Sequence, residues 1–394
     1  MATRFRTIQG GRTQPPMQQQ NSESYFDYTL LIIVLFLLGF GLIMIYSSSS
    51  YKANLTFQDS AFYLKKQLVA TVVGLIAMFV VSRIPYHFWE HFPFIAYGVS
   101  AVLILLVLTP LGYSANGARR WLNLGISLQP AEVAKLGMIV FLATIVCKVG
   151  RNISSWSGLF KLLALPMPIV LMVWKITENM SSAIIILGIA VLMIFVASPD
   201  YKKFILLGMA GIGMVATAIY AVVQMADSGK LDFRGQRVLA WLNPEAYASG
   251  KGFQTLQALY AIGSGGIFGK GLGESMQKLG FLPEAQNDMI FSIICEELGL
   301  FGAFAIILLF LLLIWRCMVI ASNATDLFGA LLVVGVMGHF AIQVILNIAV
   351  CTNVIPNTGI SLPFISYGGS SVVFLLIEIG LVFSVGRGIK LKEI

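Results

Sequence analysis

The stretch Tyr28-Thr29-Leu30-Leu31-Ile32-Ile33-Val34-Leu35-Phe36-Leu37-Leu38-Gly39-Phe40-Gly41-Leu42-Ile43-Met44-Ile45-Tyr46-Ser47 decides the class of fold. It is apolar without interruption and carries no charge. A helix needs about 20 such residues to cross the hydrocarbon core. In lipid the backbone must satisfy its own hydrogen bonds, which leaves helices or a closed barrel. A barrel strand would alternate apolar and polar positions, and this run does not.

Comparable runs follow at about 68–84, 92–111, 131–147, 158–175, 181–197, 203–225, 289–314, 327–350 and 371–387. The sequence therefore predicts an all-α polytopic membrane protein with ten spans. Pro166 and Pro168 should kink or break the fifth span, because each removes a backbone donor. The eighth starts either at 289 or nearer Glu297, the second leaving 289–296 as a half-buried helical turn. Composition agrees with the class: 58% of residues are hydrophobic and 11% are charged, against about 25% charged in soluble proteins.

Lys and Arg set the orientation. With the N-terminus inside, the inner segments gather Arg4, Arg6, Arg12, Arg83, Lys148, Arg151, Lys161, Lys202, Lys203, Arg316, Arg387, Lys390 and Lys392. The short outer loops hold only Lys52, Lys65, Lys66, Arg119, Arg120 and Lys175. The positive-inside rule then puts both termini in the cytoplasm, and the net charge of +8 is a topology signal rather than a nucleic-acid footprint. Residues 1–24, with Gly10-Gly11, Pro15-Pro16 and Gln18-Gln19-Gln20, read as a disordered cytoplasmic tail. No cleavable signal peptide is read before the first span, which serves as its own insertion signal.

One polar segment stands out, at roughly 226–286 between the seventh and eighth spans, and the topology puts it outside. It closes with Pro283-Glu284-Ala285-Gln286-Asn287-Asp288 just before the apolar run resumes. Ordered loops of this length tend to carry function. From spacing alone, Asp288 reads equally as a helix N-cap and as a catalytic carboxylate. The glycine-rich part, 261–273, fits neither a P-loop nor a dinucleotide fingerprint and reads as a flexible re-entrant or surface loop.

Charges at membrane depth are costly and usually pair or line a cavity. Glu132 and Lys135, three apart at the start of the fourth span, share a helix face and can form an ion pair; they read as a polar site facing the bundle interior. Glu296 and Glu297 lie on different faces, and Glu378 reads as structural. Cys147, Cys295, Cys317 and Cys351 have neither metal spacing nor a disulfide pattern. His87 and His91 read as interfacial beside Trp89.

Three segments together resemble the SEDS family of FtsW, RodA and SpoVE proteins. One is Asn353-Val354-Ile355-Pro356-Asn357-Thr358-Gly359-Ile360-Ser361-Leu362-Pro363-Phe364-Ile365-Ser366-Tyr367-Gly368-Gly369-Ser370-Ser371. Another runs from Gly252-Phe253-Gln254 through Gly271 and on to Leu282-Pro283-Glu284-Ala285-Gln286-Asn287-Asp288. The third runs from Arg120-Trp121-Leu122 through Lys135. The resemblance covers the whole membrane region and looks more like the division and sporulation branches than the elongation branch, with division first.

It implies a peptidoglycan glycosyltransferase that polymerises lipid II on the outer face of the cytoplasmic membrane, with the family's essential aspartate at Asp288. Candidate substrate-binding residues are Arg119, Arg120, Glu132, Lys135, Arg237, Gln254, Ser366 and Gly368. A leaving diphosphate calls for positive charge, from placed cations or a divalent metal such as Mg or Mn, and no organic cofactor is implied. Implied partners are a class B penicillin-binding protein and other divisome membrane proteins. A lipid II flippase and a non-catalytic scaffold are the competing readings. Two stretches depart from the family pattern. Gln286-Asn287 stands where His-Thr is usual, and Thr177-Glu178-Asn179-Met180-Ser181-Ser182-Ala183 replaces a Pro-Asp-containing motif, so no role is carried over to that loop.

Overall fold

Apolar side chains cover the outside of the helices as well as the inside. Ile32, Phe36, Ile76, Phe301 and Phe304 are exposed while Leu30, Met44 and Phe310 are buried, the pattern of a chain solvated by lipid. The computed structural model describes residues 26–115, 118–123, 125, 127–226, 233–250 and 252–389. The expected tail over 1–24 lies outside the described residues.

The chain begins with α1 (Tyr28–Phe57), opened by Asp27, whose carboxylate accepts from the Leu30 amide at 2.9 Å. It outruns its predicted end because Ser48 and Ser49 turn their hydroxyls back on the carbonyls of Met44 and Ile45 and so stay compatible with the apolar helix. Then come α2 (Phe62–Arg83) and α3 (Pro93–Leu106).

A small antiparallel sheet follows, β1 (Gly112–Ala115), β2 (Ala118–Asn123) and β3 (Ser127–Leu128), in that order. Next are α4 (Pro130–Val149), α5 (Trp156–Ala164), α6 (Met167–Lys175), α7 (Met180–Ala197) and α8 (Lys202–Ala226). The polar segment contributes α9 (Phe233–Leu242) and α10 (Phe253–Gly265), and the chain ends with α11 (Ile290–Ser322), α12 (Leu327–Cys351) and α13 (Gly369–Arg387).

Eight of these are long and apolar enough to cross a membrane: α1, α2, the α5–α6 pair, α7, α8, α11, α12 and α13. The other two predicted spans correspond to α3, apolar but 14 residues long, and to α4, which carries Glu132 and Lys135 near its start and is buried over most of its length. The expected break falls at Pro166, between α5 and α6, with Pro168 in the first turn of α6. The eighth span begins at Ile290 rather than near Glu297, and residues 290–297 are fully buried rather than half-buried. In contrast, α8 has no buried residue among those described and is mostly exposed.

The glycine-rich segment is held by specific bonds rather than lying as a loose surface loop. Gly299, at φ +67, breaks α11. The amides of Leu300 and Phe301 donate to the carbonyls of Gly266 and Ile267 at 2.9 and 3.1 Å, while those of Lys270 and Gly271 donate to the carbonyls of Glu296 and Glu297, both at 3.0 Å. Backbone meets backbone here, and a Cβ on Gly299 would stand 2.3 Å from the Gly269 nitrogen. The glycines therefore serve close approach.

Candidate active site

Two buried acids tie the polar segment to α11. Glu296 accepts from Lys270 Nζ at 2.7 Å and from the Met276 amide at 3.1 Å, and also from the Ser275 hydroxyl. Glu297 accepts from Lys278 Nζ at 2.8 Å and from Ser47 Oγ of α1 at 2.7 Å. Both glutamates are sealed from solvent, so removing either cation would leave an uncompensated buried charge. Asp288 follows directly on the segment they fix.

Asp288 does not cap α11. The cap position is Met289, and no side chain caps the first turn. What holds this stretch is its backbone. Asn347 Nδ2 donates to the Asp288 carbonyl at 2.8 Å and the Cys351 thiol to the same oxygen at 3.4 Å. Ser366 Oγ donates to the Asn287 carbonyl at 2.6 Å, and the Tyr367 amide to that of Gln286 at 2.9 Å. With its main chain gripped from α12 and from the 353–371 segment, the Asp288 side chain is half-buried, and Oδ1 is sealed without a hydrogen-bond partner among the described residues.

That environment shifts its acidity. Burial pushes the Asp288 carboxyl up to about 7, the negative charge of Glu284 adds to the rise, and Arg120 and Arg237 pull it down. Glu284 stands in the left-handed region at φ +54, where a side chain other than glycine is uncommon. It is engaged by Lys52 at 3.8 Å and by the Asn287 amide.

The two arginines arrive by different routes. In the β1–β2 pairing Tyr113 faces Trp121 and Ser114 faces Arg119, which leaves Arg120 as the extra residue of a β-bulge. Bulges re-aim side chains, and Arg120 carries a sealed Nε with no hydrogen-bond partner among the described residues. Arg237, on α9, donates to the Asn357 carbonyl at 3.4 Å.

The remaining candidates sort clearly. Gln254 bridges the site, donating to the Pro283 carbonyl at 3.2 Å and accepting from Asn357 Nδ2 at 2.8 Å. Ser366 lies on the backbone before Asp288. Gly368 donates its amide to Gln67 of α2 at 3.1 Å. Arg119 turns away, donating to the carbonyls of Thr109 and Gly112 of its own hairpin. Glu132 and Lys135 do form the expected ion pair, at 2.8 Å and almost fully buried. Ser371 donates to Glu132 at 3.2 Å, and Lys135 to Gln343 at 3.4 Å.

Sequence reasoning missed Glu284, Lys278 and the polar residues of α12. Only the last left a signal: His339, Gln343 and Asn347 recur every fourth residue inside an apolar run. Ser181, in the stretch that departs from the expected motif, donates to the Thr358 carbonyl. Among the described residues no group of three or more His, Cys, Asp or Glu could hold a metal.

A carboxyl that titrates near neutrality, with an unpaired oxygen, can take a proton from an approaching hydroxyl. The guanidinium groups whose charge it feels can balance a developing negative charge.

Known proteins resemble this chain over most of its length. The family model for cell cycle proteins of the FtsW/RodA/SpoVE type matches residues 28–390. Stage V sporulation protein E of Bacillus subtilis is 40% identical, with 92% of this chain and 97% of that protein covered. A probable peptidoglycan glycosyltransferase FtsW of Trichlorobacter lovleyi is 39% identical, covering 94% of this chain and 95% of that one. Among solved structures, a chain of a peptidoglycan synthase complex that coordinates polymerization and crosslinking matches with a TM-score of 0.75 at 28% identity, over 92% of this chain and 98% of that chain. The crystal structure of the rod shape determining protein RodA of Thermus thermophilus matches with a TM-score of 0.65 at 25% identity, over 93% and 98%.

Proposed function

The chain belongs to the FtsW/RodA/SpoVE family of cell cycle proteins, and from that premise we propose that it polymerises lipid II into glycan strands at the outer face of the cytoplasmic membrane during cell division. It is a multi-pass membrane enzyme of peptidoglycan synthesis, a glycosyltransferase. The observation that carries the mechanism is the Asp288 carboxyl, with one oxygen unpartnered and its acidity moved to about 7.

In the proposed reaction a sugar hydroxyl of one lipid-linked disaccharide attacks the anomeric carbon of another. Asp288 acts as general base and takes the hydroxyl proton as the new C–O bond forms. The bond from the anomeric carbon to the lipid diphosphate breaks, the diphosphate leaves with the electron pair, and the anomeric configuration inverts. Arg120 and Arg237 face the charge that develops on the leaving group. The buried Glu132–Lys135 pair is tied to Ser371 and Gln343.

A divalent cation such as Mg or Mn, bound with the diphosphate, would further neutralise it. Glu284 is the residue that would hold it, with the other ligands drawn from diphosphate oxygens and water, the usual way Mg is bound. The termini face the cytoplasm and the 226–286 segment lies outside, where the donor and acceptor sugars are. A class B penicillin-binding protein is the partner that supplies crosslinking, within a set of divisome membrane proteins.

Incubating purified protein with lipid II in detergent tests the proposal. The parent makes glycan and Asp288→Ala makes none while remaining folded. Full activity in that variant removes Asp288 from the mechanism. No glycan from the parent points instead to a flippase or a scaffold.

A further inference from the structure

A stripe of polar side chains runs along one face of α12. His339, Gln343, Asn347 and Cys351 stand four residues apart, so they stack one above the next over roughly 18 Å of helix. All four are buried. At one end Asn347 and Cys351 hold the Asp288 carbonyl, and Asn347 also donates to that of Ile360 at 2.6 Å. In the middle Gln343 Nε2 donates to the carbonyl and hydroxyl oxygens of Ser361 at 3.0 and 3.3 Å, while its Oε1 accepts from Lys135. At the far end His339 places Nε2 at 2.7 Å from Gln343 Oε1 and Nδ1 at 2.7 Å from Glu378 Oε2 of α13.

Hydrogen-bond accounting settles where protons must be. Turned round, the Gln343 amide would set its oxygen against the Ser361 carbonyl and its NH2 against the Lys135 ammonium, so its orientation is fixed by its neighbours. Oε1 must then accept from His339, and Nε2 carries a proton. With that tautomer Nδ1 is an acceptor, as is an ionised Glu378 oxygen. Two acceptors do not approach to 2.7 Å without a proton between them. The other Glu378 oxygen has no partner among the described residues, so the carboxyl is committed to His339.

We infer that His339 and Glu378 are a positioning pair for glycosyl transfer: sharing one proton, they lock Gln343 in the orientation that anchors both Lys135 and the Ser361 segment, and so fix Asp288 from the far end of α12. The activity arm of its test rests on the polymerase reading above; the spectroscopic arm does not.

In the full-length protein in detergent, labelled with 15N-histidine, the Nε2 of His339 carries a proton. Its signals are assigned by their loss in His339→Gln. A bare Nε2 overturns the inference. In lipid II polymerisation, His339→Asn, which cannot reach Gln343, lowers kcat about tenfold with KM little changed, the scale of one lost buried hydrogen bond. His339→Gln, whose amide nitrogen stands where Nε2 was, recovers most of that loss. Equal turnover in the two variants, or a loss of thermal stability in His339→Asn with kcat intact, overturns the positioning role. If the parent makes no glycan, the polymerase reading fails, and the spectra still decide the proton assignment.

Discussion

Ser366 donates its hydroxyl to the carbonyl of Asn287 at 2.6 Å, and the same oxygen accepts from the Leu362 amide at 2.7 Å. One side chain thus closes the turn of its own segment and pins the residue that precedes Asp288. Ser366→Ala leaves two backbone groups unpaired, a loss of about 1–3 kcal/mol. Thermal unfolding reads the stability change. Steady-state turnover should show a lower kcat at unchanged KM, because what loosens is the placement of the carboxylate.

If Asp288 is the general base proposed above, its acidity makes the reaction pH-dependent in a predictable direction. A general base works when ionised, so kcat/KM rises as pH climbs through about 7. Arg120→Ala removes a positive charge that holds the carboxyl down, and the rising limb moves to higher pH. Glu284→Gln removes a negative charge that pushes it up, and the limb moves to lower pH. Unshifted limbs in both variants would detach the pH profile from Asp288.

The same shift costs stability. The carboxyl titrates at 3.8 ordinarily and at about 7 when folded, so the native protein holds an extra proton between those values. Stability from this group is complete below about pH 4 and is lost as pH rises through about 7. Asp288→Asn should therefore raise the unfolding midpoint at pH 8 and not at pH 4. The gain is on the order of a few kcal/mol at most, since the side chain keeps some contact with water. Melting curves at the two pH values decide it.

Gly299 tolerates no side chain. Its φ of +67 is strained for alanine, and the added carbon would press on the Gly269 nitrogen and, at 2.4 Å, the Ile267 carbonyl. Gly299→Ala should cost several kcal/mol and sharply reduce the yield of monodisperse protein. Gly263→Ala in α10 is the control: its Cβ meets nothing within 4 Å, and helix propensity favours it.

The membrane class and most helices were legible because lipid leaves the backbone few options, so a continuous apolar run has one meaning. Pro166 and Pro168 marked a break for the same local reason. The small sheet was not legible, because its strands are short and lie among polar residues where periodicity is weak. Neither was the break in α11, since one glycine in an apolar run gives no sign of its φ. Asp288 drew notice as an acid at the edge of a span, but spacing could not separate capping from chemistry. The structure removed the capping bond. For Glu378 the sequence offered no partner, because His339 lies on another helix and only packing brings the two together.

The bonds between the Gly266–Gly271 chain and α11 act as a splint across a fracture. A helix that breaks in an apolar setting forfeits several kcal/mol for each backbone group left unpaired, and here the polar segment supplies the missing partners on both sides of Gly299. Excising that segment to obtain a smaller protein would therefore do more than delete a polar connection. With no splint, α11 would re-form its own ladder through residue 299. The turn around Asp288 would then rotate with it, giving a different membrane helix rather than a trimmed version of the same enzyme.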